Sequence, residues 1–558
     1  MERQTFAWGR LGKTIRRHDR GIEWLWILGL LLAALILYLT NLGSLPLRDW
    51  DEGTIAQVAK EIWQGDWLFP TLWGEPYLNK PPLIHWAIAS LYSFAGVSEW
   101  TTRLPSALLS AVSVPLLYCL GRELFPVRTP AVFSSLVYLT LLPVLRHGRL
   151  AMLDGPILCF TILTIWCTLR SRRDLRWALG TGIGLALIAL TKGIMALLIA
   201  AIALSFLAWD TPRLLFSVYF WTGLFLGSVP AIAWYVAQWQ QYAGDFLSTG
   251  ILDQSLSRIW TTVENHDGPF WYYLLEIVKY PWPWLLFAVY GWRLAWENRN
   301  WGWAKLVLIW SGVYLVSVSL MATKLPWYIL PLYPALALAA GAELAEVRAL
   351  PSFRAYPRWW TIILAFLALV ATVASIYFGI TAQSDRSLII ILGAVALTAV
   401  TAAVLIERKD EQFISMLVWG MYVSLLLFVS SPHWIWELNE AFPVQPVAGI
   451  VKLTTSRNET VYTSFDYRRP SLDFYSEKPI LPPPEAELEQ LQQNRAATNI
   501  SSPEELKLEW FQQYWQNQAT PYLLLSADTL SQLNLESVQE LGTAPPNFVL
   551  IGKSETEK

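Results

Sequence analysis

Charge is scarce in this sequence. Asp, Glu, Lys and Arg make up 15% of its 558 residues, against about 25% in ordinary soluble domains. A soluble chain of this length would split into several domains with charged surfaces, so that class is excluded. The formal net charge is only −2, which leaves no basic field to draw the chain to nucleic acid. Cysteine is nearly missing. Cys119, Cys159 and Cys167 are the three present, all inside apolar runs, where a thiol reads as a small hydrophobe. None lies in the polar tail, so no disulfide framework supports it. No Walker-type glycine loop occurs, and no nucleotide-sugar fold is evident outside the membrane part.

Apolar residues are abundant, at 54%, and the mean hydropathy is +0.37. They form long runs as far as Ser431, after which the composition turns polar. The reading is a transmembrane part over 1–431 and a smaller extracytoplasmic tail over 432–558. The 32 Trp suit a membrane protein, because the indole favours the boundary between hydrocarbon and water. Trp24, Trp209, Trp292, Trp303, Trp327 and Trp359 stand at the ends of apolar runs. The basic residues Arg16, Arg17 and Arg20 precede the run Trp24–Leu39, as in a signal peptide. No small-residue cleavage site follows, so a retained first span is expected.

A crossing helix needs about 20 apolar residues, fewer where neighbours help. About thirteen runs qualify on that scale. They begin at Trp24–Leu42 and continue through Leu104–Leu120, Pro130–Leu145, Met152–Leu169, Trp177–Leu190, Ile194–Trp209, Leu214–Trp239 and Phe270–Trp292. The last are Trp303–Met321, Trp327–Ala342, Trp359–Thr381, Leu388–Ile406 and Phe413–Ser431. Pro82–Gly96 is shorter and reads as interfacial or re-entrant. With the N-terminus inside, most arginines of the short loops fall on the inner side, as the positive-inside rule requires. The tail then lies outside an inner membrane. Two long outer loops are expected, over 43–103 and 240–269. Within the first, Ile55, Val58, Ala59 and Ile62 recur at helical spacing, which predicts an amphipathic helix on the membrane surface.

The outer face gathers the polar residues. Asp51 opens that amphipathic helix. It is either an ordinary first-turn acid favoured by the helix dipole or a catalytic carboxylate. Lys80, beside Tyr77 and before Pro81-Pro82, is either a lysine snorkelling to headgroups or a cation for a lipid phosphate. Asp154 stands at the edge of hydrocarbon, where an ionisable group is costly and marks function, unless it simply pairs with Arg149 or Arg146. His266 closes the second long loop. Lys324 sits in a tight turn before Pro326-Trp327-Tyr328, as an anchor or a phosphate clamp. Acids and cations together on one face suit a site that binds an anionic lipid phosphate and activates a nucleophile. A polytopic transporter or flippase of a lipid-linked glycan is the competing reading. It predicts internal repeats, and none is convincing here.

The string from Asp51-Glu52 through Gly65-Asp66-Trp67, Pro70, Tyr77, Lys80-Pro81-Pro82 and Trp86 resembles the first outer loop of the undecaprenyl-phosphate aminoarabinose transferases. These are similar to the protein O-mannosyltransferases of the GT-C class. Arg103-Leu104-Pro105-Ser106-Ala107, Asp154 after Arg149, His266, Lys324-Leu325-Pro326-Trp327-Tyr328 and the tail string Arg469-Pro470-Ser471-Leu472-Asp473-Phe474-Tyr475 continue the likeness. The resemblance implies a GT-C fold: a polytopic α-helical membrane protein, here with a small C-terminal α/β domain. It implies a polyprenyl-phosphate sugar donor, embedded among membrane lipids. It implies transfer on the outer face; the match does not extend to the acceptor, which is expected to be a lipid, glycan or protein. It makes Asp51 the key acid and Asp154 a second one, with Lys80, Lys324 and Tyr328 on the donor phosphate. Tyr77, Arg149 and His266 complete the expected substrate-binding set. One departure stands out. The family's usual Glu before the Lys-Pro-Pro lysine, a proposed metal ligand together with the loop His, is Asn79 here. A divalent metal at that position is therefore not expected; activity independent of metal, or a metal held near Asp154 and His266, is.

Overall fold

The computed structural model describes residues 20–262, 266–350, 356–381, 385–435, 443–455, 459–495 and 502–553. The chain divides into two compact units. The first takes residues up to 44 and 77–434, the second 45–76 and 435–558. The segment carrying Asp51 thus belongs with the tail and not with the helices on either side of it in sequence.

Among the described residues, the regular structure of the first unit is helical. Among the described residues, eight helical stretches are long and apolar enough to cross a membrane, or nine if the pair 128–139 and 142–149, bent by 58°, counts as one. They include Arg20–Leu39, Glu99–Leu124, Gly302–Leu320, Arg358–Ile380, Arg386–Glu407 and Gln412–Ser430. Leu83–Ala95, Trp177–Lys192 and Met195–Asp210 are shorter apolar helices. This is a polytopic helical membrane protein. One expected run is not a single helix. Phe270–Trp292 breaks into Tyr272–Lys279 and Trp284–Glu297, around Pro281 and Pro283, which cannot donate to a helix ladder.

Lipid tails give helices no hydrophobic reason to associate, so close packing must do it. Small residues supply the approach. A Cβ on Gly182 would lie 2.2 Å from the Leu224 carbonyl oxygen, and one on Gly227 would lie 2.4 Å from that of Leu179. Helices Trp177–Lys192 and Val218–Asp245 therefore meet backbone to backbone. The core also takes whole indoles: Trp284, Trp303, Trp310 and Trp360 are fully buried. Trp303, expected at an interface, packs against Phe125 with ring centroids 5.8 Å apart. Trp24 and Trp359 are exposed at helix ends.

The second unit is an α/β domain. A small hairpin pairs β1 (Thr71–Leu72) with β2 (Glu75–Pro76). A five-stranded sheet follows, built from β3 (Val461–Thr463), β4 (Ile480–Leu481), β5 (Tyr522–Ser526), β6 (Val538–Ala544) and β7 (Phe548–Lys553), in the order β4-β3-β5-β7-β6. β3 runs parallel to both β4 and β5, and β7 is antiparallel to β5 and β6. Central β5 reads Tyr-Leu-Leu-Leu-Ser, and its three leucines are fully buried, as a strand covered on both faces requires.

The helix Thr54–Gln64 belongs to this unit. Its apolar stripe is Ile55, Val58, Ala59 and Ile62, all buried, and it packs against the helix Pro470–Ser476. The sequence pattern predicted a helix lying on the membrane surface. The periodicity is right and the partner is different, because a protein surface satisfies the same stripe.

Candidate active site

In the first unit a cavity of about 820 Å³ opens between helix ends and loops, with walls that are mostly apolar. Its charged lining consists of Lys80, Asp154, Lys192 and Arg258. Each is placed by a local feature of the chain. Asp154 begins the helix Asp154–Ser171, and Lys192 ends the helix Trp177–Lys192. An acid at a helix N-terminus and a cation at a C-terminus are each favoured by the dipole. The two side chains meet, Lys192 Nζ to Asp154 Oδ1 at 2.9 Å. Lys192 also stands 4.9 Å from the centroid of the Tyr328 ring. Tyr328 lies in the turn Pro326–Leu332, whose backbone is pinned by Tyr314, its hydroxyl donating to the Tyr328 carbonyl at 2.6 Å.

Arg258 approaches from the second long loop. Its Nη1 donates to the Tyr328 hydroxyl at 3.3 Å and its Nη2 to Gln254 Oε1 at 3.4 Å. Lys80 Nζ donates to the same Gln254 oxygen at 3.2 Å. Three cations and one acid thus face a single apolar-walled space, an excess of positive charge that suits a phosphate. Pairing with Asp154 offsets part of the cost of burying Lys192.

The expected site residues separate. Lys80, Asp154 and Tyr328 line the cavity together, and Asn79 lines it too. Lys324 does not. It is buried, and its Nζ donates to the carbonyls of Val318, Ser319 and Met321 at 3.2, 2.6 and 2.5 Å. Those carbonyls end the helix Gly302–Leu320 and have no intrahelical donors of their own. Arg149 is likewise elsewhere. Its guanidinium donates to the carbonyls of Leu37, Tyr38 and Thr40 at 2.6, 3.1 and 2.7 Å, at the end of the first span. It stacks over Trp434 at 4.4 Å, beside Arg103 at 5.0 Å. Tyr77 is buried edge-on to His85, centroids 5.6 Å apart. His266 is exposed, and its carbonyl accepts from the Lys324 amide at 2.8 Å.

Lys192 and Arg258 were not expected in the site. Lys192 was visible only as one cation in a tight outer connection, and Arg258 as one of several charges in a long loop. What singles them out is three-dimensional: each faces Tyr328.

Asp51 belongs to the second unit. It lies in an irregular turn, Asp49–Gly53, that runs into the helix Thr54–Gln64. Arg48 pairs with it at 3.3 Å. Glu52 is fully buried, and its carboxylate accepts from the Arg48 amide at 3.0 Å. The tail string quoted above forms the adjoining structure. Asp473 accepts from Arg468 Nε at 2.7 Å and from the Ile480 amide at 2.8 Å. Burial nonetheless pushes its carboxyl up to about 6, against the pull of Arg468. Among the described residues no three His, Cys, Asp or Glu side chains cluster as a metal site.

Comparison with known proteins agrees with this architecture. The family described as dolichyl-phosphate-mannose-protein mannosyltransferase matches residues 79–236. An undecaprenyl phosphate-α-4-amino-4-deoxy-L-arabinose arabinosyl transferase of Pseudomonas fluorescens is 30% identical over 332 residues, 58% of this chain and 60% of that protein. One from Pectobacterium carotovorum is 27% identical over 412 residues, 71% of this chain and 73% of the other. The chain spans about 60% of the length of the first curated relatives it matches. The crystal structure of ArnT from Cupriavidus metallidurans bound to undecaprenyl phosphate superposes with a TM-score of 0.74 at 19% identity, covering 95% of this chain and 98% of that one. Archaeal oligosaccharyltransferase AglB from Archaeoglobus fulgidus gives 0.50 at 14% identity, covering 90% and 69%. The chain shares the fold of these two solved structures. By sequence the chain is similar to the aminoarabinose transferases over somewhat more than half of its length.

Proposed function

We propose that this protein moves a sugar from a polyprenyl-phosphate donor to a hydroxyl or phosphate of a lipid, glycan or protein acceptor, with inversion. The observation that carries the reading is the apolar-walled cavity into which Lys80, Lys192 and Arg258 project beside one acid. A polyprenyl phosphate is an anion on an apolar chain, and this space offers both environments. The acceptor oxygen attacks the anomeric carbon as the bond from that carbon to the phosphate oxygen breaks. The phosphate leaves with the electron pair, and the three cations stabilise the charge that gathers on it. The acceptor's proton passes to a carboxylate, and Asp51 is our candidate for that base. Asp154 holds Lys192 oriented and charged, a supporting role for the second acid.

We read about thirteen spans, with the N-terminus cytoplasmic and the tail outside; among the described residues the eight or nine long apolar helices and three shorter ones make eleven or twelve. The reading needs no metal. No observation favours a transporter over it. The test uses purified protein in nanodiscs, given the polyprenyl-linked sugar lipids of the host envelope and scored by mass spectrometry. Release of polyprenyl phosphate with a glycosylated acceptor is expected. Intact donor moved across the bilayer without release would contradict the proposal.

A further inference from the structure

The turn that carries Asp51 is held by the tail. Asp49, two residues earlier, accepts from Arg469 Nη1 at 2.8 Å through Oδ2. Its Oδ1 takes the Ser471 hydroxyl at 2.5 Å and the Ser471 amide at 3.3 Å. The partners are about 420 residues apart in sequence. Both charges are largely buried, the side chains 10% and 16% exposed. An ion pair so placed survives only if hydrogen bonds replace the lost water, and here they do. Three neighbouring contacts fix the same segment. The Leu47 amide donates to the Tyr475 hydroxyl at 2.9 Å. Lys60 donates to the Phe474 carbonyl at 3.3 Å. Gly53 lies so close that a Cβ would stand 2.7 Å from the Ser471 amide nitrogen. Arg469 is itself held between Phe465 and Tyr467, at 4.6 and 4.7 Å from their rings.

Arg469 and Ser471 lie just beyond the carboxyl end of β3. There the chain crosses to β4 on one side and later returns to β5 on the other. In open α/β sheets such a switch point is where ligands are bound. In this tail a segment of the same chain, Asp49–Gly53, contacts Arg469 and Ser471.

We propose that Asp49, Arg469 and Ser471 form a latch through which the tail sets the position of Asp51, which makes them positioning residues for transfer. The inference rests on the reading of Asp51 as the base. It gives the tail a part in the chemistry, where a plain folding contact would give it none.

The full chain in nanodiscs tests it with four variants: Asp51→Asn, Asp49→Ala, Arg469→Ala and Arg469→Lys. Two readouts are polyprenyl phosphate released from the host envelope lipid fraction and amide exchange over residues 48–57. Asp49→Ala and Arg469→Ala should each lower turnover at saturating donor at least tenfold, with KM for the donor within threefold. Exchange should quicken at 48–57 while β5 and β7 stay protected. Arg469→Lys, which keeps the charge, should recover most of both. Turnover within twofold of wild type in both alanine variants overturns the latch. So does a loss that Arg469→Lys does not recover, or one accompanied by faster exchange throughout the tail. An active Asp51→Asn removes the base assignment itself, an outcome separate from failure of the latch.

Discussion

The two units hold their charged groups in different ways. In the first, Lys80, Asp154, Lys192 and Arg258 stand at helix ends and in adjoining loops, and the cavity collects them. In the second, Asp51 stands on a turn whose shape is set by residues more than four hundred positions away. A helix end is a local property, readable from hydropathy and a nearby charge. A latch across the chain is not. The comparison also separates charges that look alike in sequence. Lys192 faces the cavity, whereas Lys324 and Arg149 satisfy helix-end carbonyls.

That separation can be broken by titrating undecaprenyl phosphate into single variants. Lys192→Ala or Arg258→Ala should weaken binding roughly 10- to 150-fold, the loss of one charge-assisted contact worth about 1.5–3 kcal/mol. Lys324→Ala should leave affinity within threefold of wild type and lower thermal stability, since it exposes carbonyls and not phosphate. Equal loss of affinity in all three would erase the distinction.

Packing gives the next effect. Gly227→Ala should destabilise the first unit by at least about 1–3 kcal/mol, because the clash is with backbone. Gly53→Ala tests the second unit in the same way. Helix propensity alone would make alanine better there by about 1 kcal/mol, so a less stable tail would show that the approach to Ser471 decides. Thermal unfolding monitored by exchange reads both.

A smaller effect is pH dependence, confined to the second unit. Asp473 has its carboxyl raised to about 6 by burial, from an unfolded value of about 3.9. The folded state therefore holds the proton over a window where the unfolded chain has lost it. Stability from this group is full below pH ~4 and falls as pH rises towards ~6, by up to about 3 kcal/mol. Protection of β3 and β5 amides should fall across that window, and Asp473→Asn should flatten the trend. The smallest change is expected on chelation: EDTA should leave polyprenyl phosphate release unaltered. Loss of release that zinc restores, abolished again by His266→Ala, would show that a metal acts despite Asn79.

Much of the fold was legible because membrane helices announce themselves. Runs such as Trp359–Thr381 and Leu388–Ile406 became Arg358–Ile380 and Arg386–Glu407. The tail holds strands beginning at Val461, Tyr522 and Phe548 and helices beginning at Glu485 and Pro503. The number of crossings was harder to read, since paired prolines and charged ends divide or shorten apolar runs. Of the cavity's lining, Lys80, Asp154 and Tyr328 could be singled out by motif and depth. Lys192 and Arg258 could not, because only the meeting of separate helices and loops gives them a common target. The membership of residues 45–76 in the tail unit was invisible for the same reason: Arg469 and Ser471 carry no local sign that Asp49 is their partner.

The central claim is that the cavity holds the phosphate of a polyprenyl donor. A cryo-EM structure of the protein in nanodiscs with undecaprenyl phosphate tests it most directly. The account predicts the phosphate within hydrogen-bonding distance of Lys192 and Arg258, with the first isoprene units along the apolar wall. A phosphate bound away from Lys80, Lys192 and Arg258, or a cavity still empty at saturating lipid, would contradict it.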